Sequence, residues 1–362
     1  MPTDEMWINM GPQHPFNHGL WNLRVKLKGE TITQAEPIIG YLHRGWEKMV
    51  ENRTYSQIVP LADRLCYGSS LSWNHLYCLT AEKIYGIEAP DRAKYIRVAV
   101  LELQRITSHL TWLMAVGTDL GSYTIMTWSI RERELFLDLL CKLSGARMTY
   151  NYCRIGGVRN DLPENYERDV LRVLDEFEKR LRDLESLMDE NTPFLMRTVG
   201  IGTMDGKTAM NLGLTGPIMR ASGVDMDLRK LDPYEVYADM KFEVCTHTDG
   251  DVYARYRVRM DEMRESMKIV RQALSEAPAG PIRVKVPRCP PKGNVVCHVE
   301  DPRGESLMYM VSDGSEKPYR LKVRSPNFVN LSASPPMLVG FKISDVPAIM
   351  GVMDMCIGET DR

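Results

Sequence analysis

The chain has 362 residues, 46 basic against 48 acidic side chains for a formal charge of -2, and 44% hydrophobic and 26% charged residues. That length can bury a large core and hold two or three domains, while the balanced charge writes no concentrated basic face, so nucleic acid is not an expected partner. No stretch reaches the roughly 18 to 20 apolar residues of a bilayer span, the longest candidate being Leu110 to Leu120, so any membrane link is expected to come through partners.

Residues Met1 to Gly11 carry Asp4 and Glu5 and lack the basic-then-apolar order of a signal peptide, which points to a cytoplasmic address. From Leu20 to Leu27, apolar Leu23, Val25 and Leu27 alternate with Arg24, Lys26 and Lys28, and Gly29-Glu30 turns the chain into Thr31-Ile32-Thr33. Alternation of period two around such a turn predicts a small antiparallel unit within residues 1–60.

From about Asp63 the period becomes helical. Asp91 is placed to cap a helix whose face is Ile96, Val100, Leu103, Thr107, Leu110 and Met114, with Arg92, Lys94, Arg97, Glu102 and Arg105 expected elsewhere on its surface. Arg131 to Leu143 predicts a second helix. Pro163 to Glu190 predicts a third, striped by Val170, Leu174, Phe177, Leu181, Leu184 and Met188, and stopped at Asn191-Thr192-Pro193. Met260, Met263, Met267, Val270 and Leu274 make a fourth stripe, read as core. After Pro278, prolines punctuate short runs such as Leu321-Lys322-Val323, predicting an irregular section laid over the bundle. The expected fold is α+β: an N-terminal β unit over 1–60, a helical core over 61–278 and a wrapped C-terminal segment over 279–362.

The eight cysteines, at 66, 78, 141, 153, 245, 289, 297 and 356, never form a C-x-x-C pair, so a self-contained zinc or iron–sulfur motif is not expected. Gly200 to Thr208 ends in the Gly-Lys-Thr of a phosphate loop, but Ile201 stands where that loop needs its first glycine, and no buried strand precedes it.

The N-terminal third carries the chemistry. Gly11-Pro12-Gln13-His14-Pro15-Phe16-Asn17-His18-Gly19 frames two histidines with rigid turn residues. Gly40-Tyr41-Leu42-His43-Arg44-Gly45-Trp46-Glu47-Lys48, Glu51-Asn52-Arg53-Thr54 and Asp63-Arg64-Leu65-Cys66-Tyr67 follow. With Arg131-Glu132-Arg133-Glu134, Arg154-Ile155-Gly156-Gly157-Val158, Arg220-Ala221-Ser222-Gly223, Tyr319-Arg320-Leu321-Lys322-Val323-Arg324 and Asp361-Arg362, in order along the whole chain, these segments resemble the 49-kilodalton (D) subunit family of respiratory complex I. The chain is also similar to the D subunit of archaeal dehydrogenases of reduced deazaflavin (coenzyme F420).

That family is related to the large subunit of nickel–iron hydrogenases, whose metal hangs on two C-x-x-C pairs, and the resemblance implies a helical bundle of that type. Here the matching positions read Cys66-x-x-Ser69 and Cys356-x-x-Glu359. Serine and glutamate are poor ligands for soft metals, so no metal centre is expected and the chain is expected to bind no cofactor itself. The resemblance instead implies a quinone or methanophenazine headgroup held by His18 and Tyr67, with Asp119 paired to the histidine. An imidazole N–H and a phenol O–H are both suited to a reduced quinone that needs two protons. It further implies a 4Fe-4S cluster in an adjacent iron–sulfur small subunit of B type, next to Arg44, for which the plain alternative is an ion pair with Glu47 or Glu51. Thr149 stands where many respiratory members carry a histidine near that cluster, which would lower its potential and favour a low-potential acceptor. The further implied partners are a 30-kilodalton C subunit, a ferredoxin-like I subunit and a membrane H subunit, at the cytoplasmic face of a membrane. NADH or reduced F420 would be the electron donor.

Overall fold

A computed structural model describes residues 5–12 and 19–362. The alternating run forms the predicted hairpin, β2 (Asn22–Lys28) and β3 (Thr31–Ile38), and a strand not anticipated, β1 (Glu5–Met10), pairs antiparallel with β2 from Glu5↔Lys28 to Met10↔Leu23. Leu23, Val25 and Leu27 share the buried face, as a period of two requires. The far edge of the sheet is closed by the C-terminal section, since Ile32 N donates to Phe341 O (2.9 Å) and Gly340 N to Ile32 O (2.9 Å).

Two short helices, α1 (Trp46–Val50) and α2 (Tyr55–Ala62), lead into α3 (Ser70–Tyr85), α4 (Asp91–Asp119), α5 (Tyr123–Ser144), α6 (Tyr166–Asp189) and α7 (Val252–Glu276). Helix α4 packs against α5 and α7, and α6 against both of those, so the four long helices form the expected bundle. The stripes on α6 and α7 are buried as predicted. Asp91 is not the cap of α4 but its first residue; Pro90 holds the capping position, its fixed φ already suited to a helix start.

The larger departure concerns the charges on α4. Arg97, Glu102 and Arg105, expected on its outer surface, are all buried. Arg97 pairs with Glu82 and with Glu235 (2.8 Å), and Glu102 takes Arg105 (3.2 Å), Arg229 (3.1 Å), the Tyr237 hydroxyl (2.6 Å) and Ser266 (2.6 Å). Helix α4 lies inside the bundle, and its charges are compensated partly within α4 and from α3, and partly by Glu235 and Arg229 far along the chain.

The section read as irregular contains a regular antiparallel sheet: β6 (Gly293–Asp301), β7 (Gly304–Ser312) and β8 (Arg320–Arg324), following the short β4 (Cys153–Arg154) and β5 (Gly157–Val158) hairpin. Helix α3 lies on β6 and β7. Beyond the sheet, α8 (Val346–Gly351) packs on α4, and α9 (Ile357–Asp361) returns to the N-terminal third. In the phosphate-loop look-alike, the Asp205 carboxylate accepts from Thr208 N (2.9 Å), the kind of backbone donor that a phosphate would need. No helix among the described residues is long and apolar enough to cross a membrane.

Candidate functional site

Residues 351 to 362 thread between the N-terminal loops and the bundle, and Arg44, Cys66 and Asp119 lie against that thread. Gly19 packs against Ile357 so closely that an added Cβ would lie 2.9 Å from the isoleucine Cβ. His18, its neighbour, falls outside the described residues. Arg44 donates from Nη1 to Arg64 O and from Nη2 to Gly358 O, both at 3.0 Å. It therefore does not pair with Glu47 or Glu51, which are taken by Lys322 (3.0 Å) and Arg320 (2.9 Å). Asp361 accepts from Gly40 N (2.9 Å) and Leu42 N (2.8 Å), fastening the loop that carries Arg44.

Three of the four positions matching a metal-binding set converge. The Cys66 and Cys356 sulfurs and a Glu359 oxygen all lie within 4.8 Å of one another, fully buried. Both Glu359 oxygens are engaged, by Trp73 Nε1 (2.9 Å) and Ser325 Oγ (3.1 Å), and burial, reinforced by Cys66 and Asp301, pushes its pKa well above the usual carboxylate range. Ser69 turns away to donate to Asp301 (2.5 Å). Burial raises the Cys66 thiol as well. Against desolvation, the hydrogen bond from Cys66 lowers the Cys356 pKa, so the set offers one readily formed thiolate, one thiol held protonated and a neutral acid already hydrogen-bonded, fewer soft donors than a four-thiolate site.

Tyr67 stands at the outer wall of this cluster. The side chains before it are closed in, whereas Tyr67 is 43% exposed. Its pKa is raised, first by desolvation and then by the neighbouring Cys356 and Cys66, so the phenol keeps its proton at any physiological pH. Asp119 ends α4 half-buried, with one oxygen 3.2 Å from where a Cβ on Gly351 would sit, and desolvation lifts its pKa to about 7. Such an acid is part protonated near neutrality. Thr149 lies in a loop tied to the Tyr67 segment at two points: Ser70 Oγ donates to Met148 O (2.6 Å), and Asn151 N donates to the buried Asp63 carboxylate.

Sequence reasoning missed Arg303. Its guanidinium lies beside Tyr67 and both thiols, and binds Asp354 Oδ1 (2.9 Å), Asp354 O (2.9 Å) and Ser108 Oγ (3.1 Å). Gly68 is glycine because a Cβ there would lie 2.5 Å from that guanidinium. The Asp301-Pro302-Arg303-Gly304 turn between β6 and β7 was the available signal, a charged residue framed by proline and glycine.

Comparison with known proteins identifies the family. The model of the family "Respiratory-chain NADH dehydrogenase, 49 Kd subunit" matches residues 119–290 and 285–362. The D subunit of the F(420)H(2) dehydrogenase of Methanosarcina mazei is 46% identical over 371 residues, covering 100% of this chain and 99% of that one. The D subunit of the NADH-quinone oxidoreductase of Dehalococcoides mccartyi is 46% identical over 363 residues, covering 99% of each. A chain of the membrane-bound sulfane sulfur reductase, an archaeal respiratory membrane complex, superposes with a TM-score of 0.96 at 35% identity, with 100% of both chains covered. The chain belongs to the 49-kilodalton subunit family of the respiratory-chain NADH dehydrogenase, whose named relatives are subunits of oxidoreductase complexes.

Proposed function

We propose that this chain walls the quinone-type site of a complex I-like, energy-converting membrane oxidoreductase, and that Tyr67 with His18 binds and protonates the headgroup. The observation that carries the reading is Tyr67 itself: a protonated phenol, partly open to solvent, beside a buried cluster whose metal-binding positions are half replaced. A quinone or methanophenazine that accepts two electrons also takes up two protons. Tyr67 donates a hydrogen bond to one headgroup oxygen or nitrogen and stabilises the charge developing there. Asp119, with a pKa near 7, holds a proton close to working pH and sets the charge state on the His18 side.

A 4Fe-4S cluster in a neighbouring small subunit supplies the electrons when that subunit is bound. Arg44 and Thr149 belong to the face turned towards it, with Arg44 exposed yet fixed by two carbonyls. In this reading the chain is a peripheral subunit at the cytoplasmic face, assembled with small, 30-kilodalton, ferredoxin-like and membrane subunits. The donor is NADH or reduced F420, both of which stand in the names of the relatives.

The test is acceptor reduction by the intact purified complex carrying Tyr67→Phe, assayed with ubiquinone, menaquinone and phenazine analogues alongside its nickel content. The expected result is a loss of about 10²-fold or more with subunit composition unchanged. Unchanged turnover removes Tyr67 from the mechanism. Stoichiometric nickel would instead favour a hydrogenase-like centre at Cys66 and Cys356.

A further inference from the structure

Away from this site, a groove of about 660 Å³ opens between α2, the β4–β5 hairpin and the extended segment 282–288. Four arginines line it, Arg154, Arg159, Arg283 and Arg288, against a single carboxylate, Glu316, which Arg288 already holds at 2.7 Å. The groove thus carries a surplus of three positive charges. Val59, Tyr85, Ile155 and Val286 give its walls apolar patches, beside the hydroxyls of Thr54 and Ser56.

The surplus is built in rigidly. Val158 N donates to Ile282 O (3.0 Å) and Val284 N to Gly156 O (2.9 Å), so β5 is bonded on one side to β4 and on the other to the 282–284 segment, with Gly157 paired to both Arg154 and Arg283. Gly157 approaches the second strand so closely that a Cβ would lie 2.1 Å from Ile282 O. The two guanidinium groups therefore have little freedom to separate through the backbone. Arg154 is half-buried; desolvation, together with repulsion from Arg159 and Arg283, lowers its pKa. Among the described residues, no ion pair to a carboxylate relieves Arg154, Arg159 or Arg283. Like charges held together at a partly dry surface destabilise the free chain, and an anionic occupant turns that penalty into binding.

We propose that the groove is the docking site for an extended acidic segment of another subunit of the complex, one that sets at least two carboxylates against Arg154, Arg159 and Arg283 and lays an apolar side chain on Tyr85 and Val286. The mixed lining favours a peptide over a free phosphate, which would satisfy the arginines but leave the apolar patches wet.

The experiment uses the intact complex. A photo-crosslinking phenylalanine analogue at Arg159 should give an adduct with one partner subunit, mapped by mass spectrometry to a segment with two or more Asp or Glu residues. The double variant Arg154→Glu/Arg283→Glu should release that subunit at a salt concentration about tenfold lower than the parent complex, while Arg154→Lys/Arg283→Lys retains it. The adduct is read in a single-site variant at an exposed position, so it stays informative even if the charge reversal fails to assemble. Adducts only with lipid, with a segment lacking acidic residues or with no partner at all would overturn the proposal. So would a double charge reversal whose salt-dependent dissociation matches the parent.

Discussion

Arg303 and Asp354 meet at 2.9 Å with both side chains almost wholly removed from solvent, joining the β6–β7 turn to the segment that floors the site. A buried charge stripped of its partner costs far more than the pair contributes, roughly 3–5 kcal/mol. Arg303→Met should therefore destabilise the region by about that much, because Asp354 is left charged and dry. Hydrogen exchange in the assembled complex should show the loss over residues 351–357, and the double variant Arg303→Met/Asp354→Leu should recover most of it.

The contrast between two glutamates near α4 offers a second check. Glu102 neutralises Arg105 and Arg229 in the bundle interior, whereas Glu88 pairs with Lys94 at the surface. Glu102→Gln keeps the shape but leaves Arg105 without its carboxylate, while Arg229 retains Asp227 (2.6 Å), with an expected cost of about 3 kcal/mol. Glu88→Gln should cost ~1 kcal/mol or less. Exchange protection of α4 amides distinguishes the two.

Asp63 is buried, with one oxygen bound by Asn151 N and the other without a hydrogen-bond partner, and desolvation raises its pKa to about 7. The sign follows from which state binds the proton. Between pH ~4 and 7 the folded chain keeps this proton and the unfolded chain has lost it, so stability falls as pH rises through that window and is flat with respect to Asp63 below it. Asp63→Asn should remove this slope, about 1.4 kcal/mol for each unit of pKa shift, in thermal melts of the complex across pH 4 to 8.

Gly157 sits at φ 149° with no room for a methyl group against Ile282. Gly157→Ala should part the hairpin from the 282–286 strand, costing about 1–3 kcal/mol. Faster exchange at Val158 and Val284, whose amides bridge the two segments, is the expected signature.

Much of this molecule was readable in advance. The stripes of α6 and α7 and the β2–β3 hairpin follow from periodicity, which reports burial directly when one face is dry and the other wet. Arg97, Glu102 and Arg105 defeated that logic, because a helix buried all round has no wet face and its charges find partners such as Glu235 and Arg229 more than a hundred residues away. Strand β7 was legible in principle, with burial alternating from Gly304 to Ser312, but prolines on either side of the sheet masked it. At the site, Tyr67, Asp119 and Arg44 came from motif resemblance, and local reasoning had no means of seeing Arg303. Its importance depends on Asp354, Gly68 and Ser108 arriving together in space.

The thread of residues 351 to 362 touches Gly19, Arg44, Cys66 and Asp119, residues otherwise spread over the first third of the chain. Its contacts to those loops span the greatest sequence separations at the site, beside shorter-range ones such as Arg44 Nη1 to Arg64 O. Contacts that close loops of some 300 residues form slowly. The thread is therefore expected to dock late, after the bundle it lies on is built.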